Sequence, residues 1–197
     1  MPTLNFDEPS HTYTLDGKVL PSVTQILKPL YDFSGVPPEV LERKRQIGTA
    51  VHKAIELDLA DDLDPESLAP EVAPYFAGWQ SFRAQFRPVE YRAEALLYSA
   101  LGYAGTVDLI ARQDGLPGWW VIDYKTAATV SPAVALQTAA YAKAATEAGM
   151  VPEAARRATL HLRDDGTYRL IEHSDRADFR VFQALLIVHN WRKANGC

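Results

Sequence analysis

Three residues on two short runs carry the clearest chemistry in the chain. Asp108 lies in Thr106-Val107-Asp108-Leu109-Ile110, and Asp123 and Lys125 end Trp119-Trp120-Val121-Ile122-Asp123-Tyr124-Lys125. Both runs are rich in β-branched and aromatic residues, as strands are. The segment between them, Asp114-Gly115-Leu116-Pro117-Gly118, is dense in turn formers. In an antiparallel hairpin centred on that turn Asp108 faces Asp123, and Lys125 shares the face of Asp123 two residues on. Directly opposed carboxylates repel, and unpaired charge among apolar residues is costly. The pattern calls for a bound cation, and two carboxylates with an ammonium suit metal-assisted hydrolysis.

Other elements must bring partners to this hairpin. A helix is expected from about Glu39 to Leu59, with Val40, Leu41, Ile47, Val51, Ile55 and Leu59 as its apolar face. Lys44, Gly48, His52 and Glu56 follow one another four apart along a second line. A mid-helix glycine costs about 1 kcal/mol relative to alanine, so Gly48 points to a close approach. His52, taken alone, reads as structural rather than as a ligand. A strand from Val89 to Tyr98 carries Glu94, a third acid near the pair if the three strands form a meander. Ser131-Pro132 opens a helix ending near Gly149, with Gln137 and Tyr141 one turn apart in alanine-rich surroundings that allow close packing on a sheet.

Towards the N-terminus, His11 to Leu20 alternates around Asp16-Gly17, a strong hairpin signal. Pro21-Ser22-Val23-Thr24-Gln25-Ile26-Leu27 reads as a capped helix start. Helix N-termini also take phosphate, so Ser22 either caps its own helix or helps hold an anion. Asp64-Pro65 begins a further helical region, interrupted at Pro70 and Pro74, whose stripe Tyr75, Phe76, Trp79, Phe82 and Phe86 is core. Arg83 and Arg87 on it reach solvent or phosphate. A second hairpin is expected around Asp164-Asp165-Gly166, from Ala158 to Glu172. A terminal helix from about Asp175 to Ala194 has Phe179, Phe182, Leu185, Leu186, Val188 and Trp191 as its expected core.

The 197 residues suit one domain with a sizeable core, and 47% hydrophobic with 23% charged residues is ordinary for a globular protein. The element order fits an α/β fold with a mixed sheet. Its parts would be an N-terminal hairpin and helix (about 11–30), a core (about 39–172) and a C-terminal helix (about 175–194). Cys197 is the only cysteine, which excludes an internal disulfide and a cysteine-ligated zinc or iron–sulfur site built from this chain alone. No run reaches membrane-spanning length and no signal peptide is legible, so an intracellular, cytoplasmic protein is expected. A net charge of −5 argues against a general nucleic-acid coat but not against an enzyme acting on nucleic acid.

Four short motifs appear in order: Gly48-Thr49-Ala50-Val51-His52, Gly105-Thr106-Val107-Asp108, Asp123-Tyr124-Lys125-Thr126, and Gln137 to Tyr141. Together they resemble the RecB-like branch of the PD-(D/E)XK nuclease superfamily, and Pro21 to Leu27 is similar to its phage and mitochondrial genome-maintenance exonucleases. The resemblance spans roughly residues 11 to 145 and implies a restriction-endonuclease-like core, a central mixed β-sheet flanked by α-helices. It implies a metal-dependent DNA exonuclease in which metal-activated water attacks the phosphodiester, working in phage or prophage DNA processing inside a bacterial host. His52, Asp108, Asp123 and the Tyr124 carbonyl would hold one or two Mg2+ or Mn2+ ions, a choice that oxygen-rich ligands favour. Lys125 would act as a base or as an electrostatic clamp. Gln137 and Tyr141 would orient the site or touch the DNA, with Glu94 and Glu56 either in outer supporting positions or linked to the metal. Ser22, Thr24, Lys44, Arg45 and Gly48 are the expected DNA contacts. The family often has a basic residue before the helical glycine, whereas Ile47 stands here, which shifts that phosphate contact to Lys44 or Arg45. Single-stranded or end-containing duplex DNA is the expected partner, with a recombination protein and further copies of the chain as others. A structure-specific endonuclease and a non-catalytic nucleic-acid-binding module are the alternatives.

Overall fold

The computed structural model describes residues 2–152 and 155–197. At the N-terminal end β1 (Leu4–Asp7), β2 (Thr12–Leu15) and β3 (Lys18–Leu20) form an antiparallel three-stranded sheet. Asp16 and Gly17 join β2 to β3 with φ of 49° and 80°, the left-handed pair that a tight two-residue hairpin requires. The short strand β1 escaped the sequence reading, because four residues are too few to show a period. Next comes α1 (Val23–Leu27), then a single 3-10 turn, then α2 (Pro38–Leu59) and α3 (Ala73–Phe86).

The remaining strands, β4 (Pro88–Ser99), β5 (Tyr103–Gln113), β6 (Trp119–Lys125), β7 (Arg156–Leu162) and β8 (Tyr168–His173), lie in that order in a second sheet. Every neighbouring pair is antiparallel except β6 and β7. A parallel pair needs a long crossover, and α4 (Ala133–Glu147) supplies it. The terminal helix is α5 (Asp178–Asn195).

Helices cover both faces of this sheet, which explains why β6 reads as an unbroken apolar run. Trp120, Ile122 and Tyr124 face the core shared with α2 and α3, which contains the aromatic stripe Tyr75, Phe76, Trp79, Phe82 and Phe86. Val121, between them, joins α1, α4 and α5 on the other face. The fold is thus α/β, with a five-stranded mixed sheet between helices, consistent with a restriction-endonuclease-like core.

Three expectations need correction. Asp64-Pro65 opens only a 3-10 turn (Pro65–Ser67); the helix with the aromatic stripe starts afresh at Ala73, beyond Pro70. In α2 every residue from Pro38 to Gln46 is exposed, so Val40 and Leu41 are not core; packing begins with the partly buried Ile47 and becomes complete at Val51. In α5 only Phe182 and Leu186 are buried, and Val188 and Trp191 (60% exposed) face solvent. Helical periodicity is right in both cases, but among the described residues those turns are left uncovered. Among the described residues no helix is long and apolar enough to cross a membrane.

Candidate metal centre and active site

The site forms where the β5–β6 ladder stops. Pairing runs from Arg112↔Trp119 to Leu109↔Ile122, the register expected from the turn, and the next pair would be Asp108 with Asp123. Instead the Asp108 carboxylate accepts the Tyr124 N–H at 2.5 Å and takes the place of a strand partner. Meanwhile β6 continues along β7 as far as Lys125↔His161. Asp123 is buried (1% exposed) and its Oδ2 lies 2.5 Å from Lys125 Nζ. The Lys125 ammonium is thus the charged partner of this buried oxygen.

On the other side of Asp108, Glu94 falls between the pairs Ala93↔Leu109 and Ala95↔Val107, directly across from it. Its φ of +46° is left-handed, a conformation that costs a non-glycine residue about 1–2 kcal/mol. With that kink, ligand atoms of Glu94, Asp108 and His52 all lie within 4.8 Å of one another. Of the two positions expected for Glu94, the geometry matches the one beside the metal-ligand candidates. Nothing in a single sequence marks a strand residue for positive φ, so the kink that brings Glu94 to Asp108 is visible only in the fold.

His52 comes from the first packed turns of α2. Its Nδ1 is 3.4 Å from Asp108 Oδ1, and its ring meets Tyr124 edge-on with centroids 5.5 Å apart. A Cβ on Gly48, one turn earlier, would come within 3.3 Å of Thr126 Oγ1, so the helix approaches the end of β6 closely at that point. From the other face, α4 contributes Gln137, whose Nε2 donates to Tyr141 Oη at 3.1 Å; both residues are buried. Tyr141 explains the glycine of Gly105-Thr106-Val107-Asp108, because a Cβ there would sit 2.6 Å from its ring.

Burial and charge set the protonation of the cluster. Burial, reinforced by Asp108, pushes Glu94 up to about 7. Burial raises Asp123 to about 6 against the pull of Lys125. Burial also opposes ionisation of Asp108, but His52, Lys125 and the Tyr124 N–H outweigh it and hold its carboxyl below the usual range. Burial would discharge Lys125; Asp123 and Asp108 reverse this and hold its ammonium above the ordinary value. Without a bound cation Lys125 is thus held as the ammonium. His52 is raised in the same way, with Asp108 overcoming burial.

The donor set fits a hard divalent cation: carboxylate oxygens of Asp108 and Glu94 with one His52 nitrogen, and the buried Asp123 carboxylate paired with Lys125 alongside. A cleft of about 360 Å³ opens beside the cluster, lined by His52, Glu94, Glu56, Lys53, Arg45 and Gly48 among others. Glu56 is engaged by Lys53 at 2.8 Å. Two larger cavities, of about 420 and 680 Å³, include none of the clustered residues in their walls.

The expected DNA contacts fare differently. Ser22 is buried, and its hydroxyl accepts the Gln25 N–H at 3.0 Å while the Gln25 side chain returns the bond to the Ser22 N–H, so it closes a capping box. Ser22 is a cap rather than a surface contact. Thr24 is exposed, as are Lys44 and Arg45 on the free half of α2. Arg45 forks onto Glu42, whereas Lys44 makes no ion pair among the described residues. Tyr31 was not singled out from sequence, yet Lys125 and Asp123 both act on its hydroxyl, which burial raises first.

Residues 59–192 match the family model of the PD-(D/E)XK nuclease superfamily. That span includes Glu94, Asp108, Asp123, Lys125, Gln137 and Tyr141, while His52 precedes it on α2. A search of curated proteins finds no match.

Proposed function

This chain belongs to the PD-(D/E)XK nuclease superfamily, and on that premise we propose that it is a Mg2+- or Mn2+-dependent DNA exonuclease of the RecB-like branch. The setting we assign is processing of phage or prophage DNA during recombination or repair. The observation that carries the reading is the meeting of Glu94, Asp108 and His52 beside the buried Asp123–Lys125 pair.

His52, Glu94, Asp108 and Asp123 would hold the cation, with the Tyr124 carbonyl as a further oxygen donor. When bound, a divalent cation supplies Lewis-acid activation of water and offsets charge on the phosphate. The protein's own residues do the rest. The Tyr124 N–H and His52 fix the two oxygens of Asp108, so the carboxylate is oriented before substrate arrives. The Lys125 ammonium, held by Asp123, stands ready to stabilise charge that develops on the scissile phosphate. Tyr141, donated to by Gln137 and packed over Gly105, closes the α4 side and limits water there.

A time course on end-labelled single- and double-stranded DNA, and on a circular single strand, with Mg2+ or Mn2+ tests the assignment. Linear DNA shortening from its ends with the circle intact supports an exonuclease. Cutting of the circle would make it an endonuclease, and no cleavage of any substrate would leave a binding module.

A further inference from the structure

Between α1 and the packed half of α2 the chain forms an arm, residues 28–46, anchored at both ends near the carboxylates. Ile26 and Leu27 are fully buried at one end, and Val51 at the other, next to His52. The arm exposes several large apolar side chains: Leu30, Phe33, Val36, Val40 and Leu41. Tyr31 is partly buried against the core of α1 and α4, on the side of Asp123 and Lys125. The Phe33 ring lies parallel to that of Tyr31, with 4° between planes and centroids 6.0 Å apart, and Phe33 is 51% exposed. Lys28 and Lys44, on the same arm, make no ion pair among the described residues.

We propose that the Tyr31–Phe33 stack is a specificity platform that takes an unpaired nucleobase beside the Asp123–Lys125 pair. The inference rests on the nuclease reading and adds a substrate class to it: single strands and unpaired ends. A flat ring already stacked on a second ring continues naturally into a base, and every base has a face to offer. The unpaired ammonium groups of Lys28 and Lys44 complement the phosphates that accompany it. Internal bases of a duplex have both faces covered, so they reach the platform only after unstacking.

The test uses a fluorescein-labelled strand of thymidines and the same strand with abasic sugars, which keeps the phosphates and removes the faces. Binding is read by anisotropy in EDTA, where cleavage is off, for the wild type, Phe33→Ala and Phe33→Trp. The wild type should bind the thymidine strand about tenfold or more tightly than the abasic one, in line with the usual strength of base–aromatic stacking. Phe33→Ala should remove most of that ratio, and Phe33→Trp should keep it. Equal binding of the two strands by the wild type, or an unchanged ratio in Phe33→Ala, overturns the platform. A change in oligomeric mass on Phe33→Ala with the ratio intact also overturns it, by making the arm a protein contact. Cleavage of the thymidine strand with Mn2+ is followed in parallel: discrimination in binding without any cleavage would defeat the nuclease reading and leave the platform standing.

Discussion

Asp123 and Lys125 concentrate the chemistry in one buried contact, a carboxylate pushed up by burial against an ammonium held charged by its neighbours. Lys125→Ala removes the cation that faces the phosphate, and cleavage should fall by about 10²–10³-fold, the usual cost of losing one preorganised charge stabiliser. Circular dichroism should show the fold retained. The acids also make a signed prediction about pH. Glu94 is raised from 4.5 to about 7 and Asp123 from 3.8 to about 6, so the folded, cation-free protein binds protons that the unfolded chain has released. Stability from these groups is present at low pH and lost as pH rises from 3.8 through about 7. His52, raised above its ordinary value, contributes in the same direction at the upper end of that window. His173 and His189, held below their ordinary value by burial, pull the other way, so the difference between proteins isolates the acid: in EDTA, Glu94→Gln should lose less melting temperature across this range than the wild type does, and an identical pH dependence of the two would refute the electrostatic account.

At the level of elements, the hairpin from β5 to β6, its register, the aromatic stripe of α3 and the crossover helix α4 were all legible, because each has its own period or turn chemistry. What the sequence could not carry was relational. Whether Val40 and Trp191 meet another element depends on where α2 and α5 overhang the sheet, and the left-handed φ of Glu94 exists only in the folded strand pair. The motif glycines lay between these extremes: their presence signalled close approaches, and the structure identifies Thr126 opposite Gly48 and Tyr141 opposite Gly105. Two predictions follow from this scale. Val40→Ser with Leu41→Ser should shift unfolding free energy by no more than about 0.5 kcal/mol per site, whereas Ile55→Ala on the packed half of the same helix should cost about 2–5 kcal/mol by urea denaturation. Gly105→Ala should destabilise by about 1–3 kcal/mol through its collision with Tyr141.

For the whole molecule, the two faces of the sheet converge on one end of one ladder: α2 brings His52 from one side, α4 brings Tyr141 and Gln137 from the other, and β4 bends Glu94 in from the adjacent strand. A site assembled from separate elements couples ligand binding to folding. A divalent cation that binds only the folded state should stabilise it by about 2.7 kcal/mol at a hundredfold excess over its Kd, visible as a rise in melting temperature. The rise should be larger at pH 8 than at pH 5, because Glu94 and Asp123 must lose their protons to take the ion. The most direct test of the central claim is release of nucleotides from linear DNA by the wild type and by folded Asp123→Ala, side by side in Mn2+. The account predicts steady release by the wild type and a loss of about 10³-fold or more in the variant. Full activity in Asp123→Ala would contradict it.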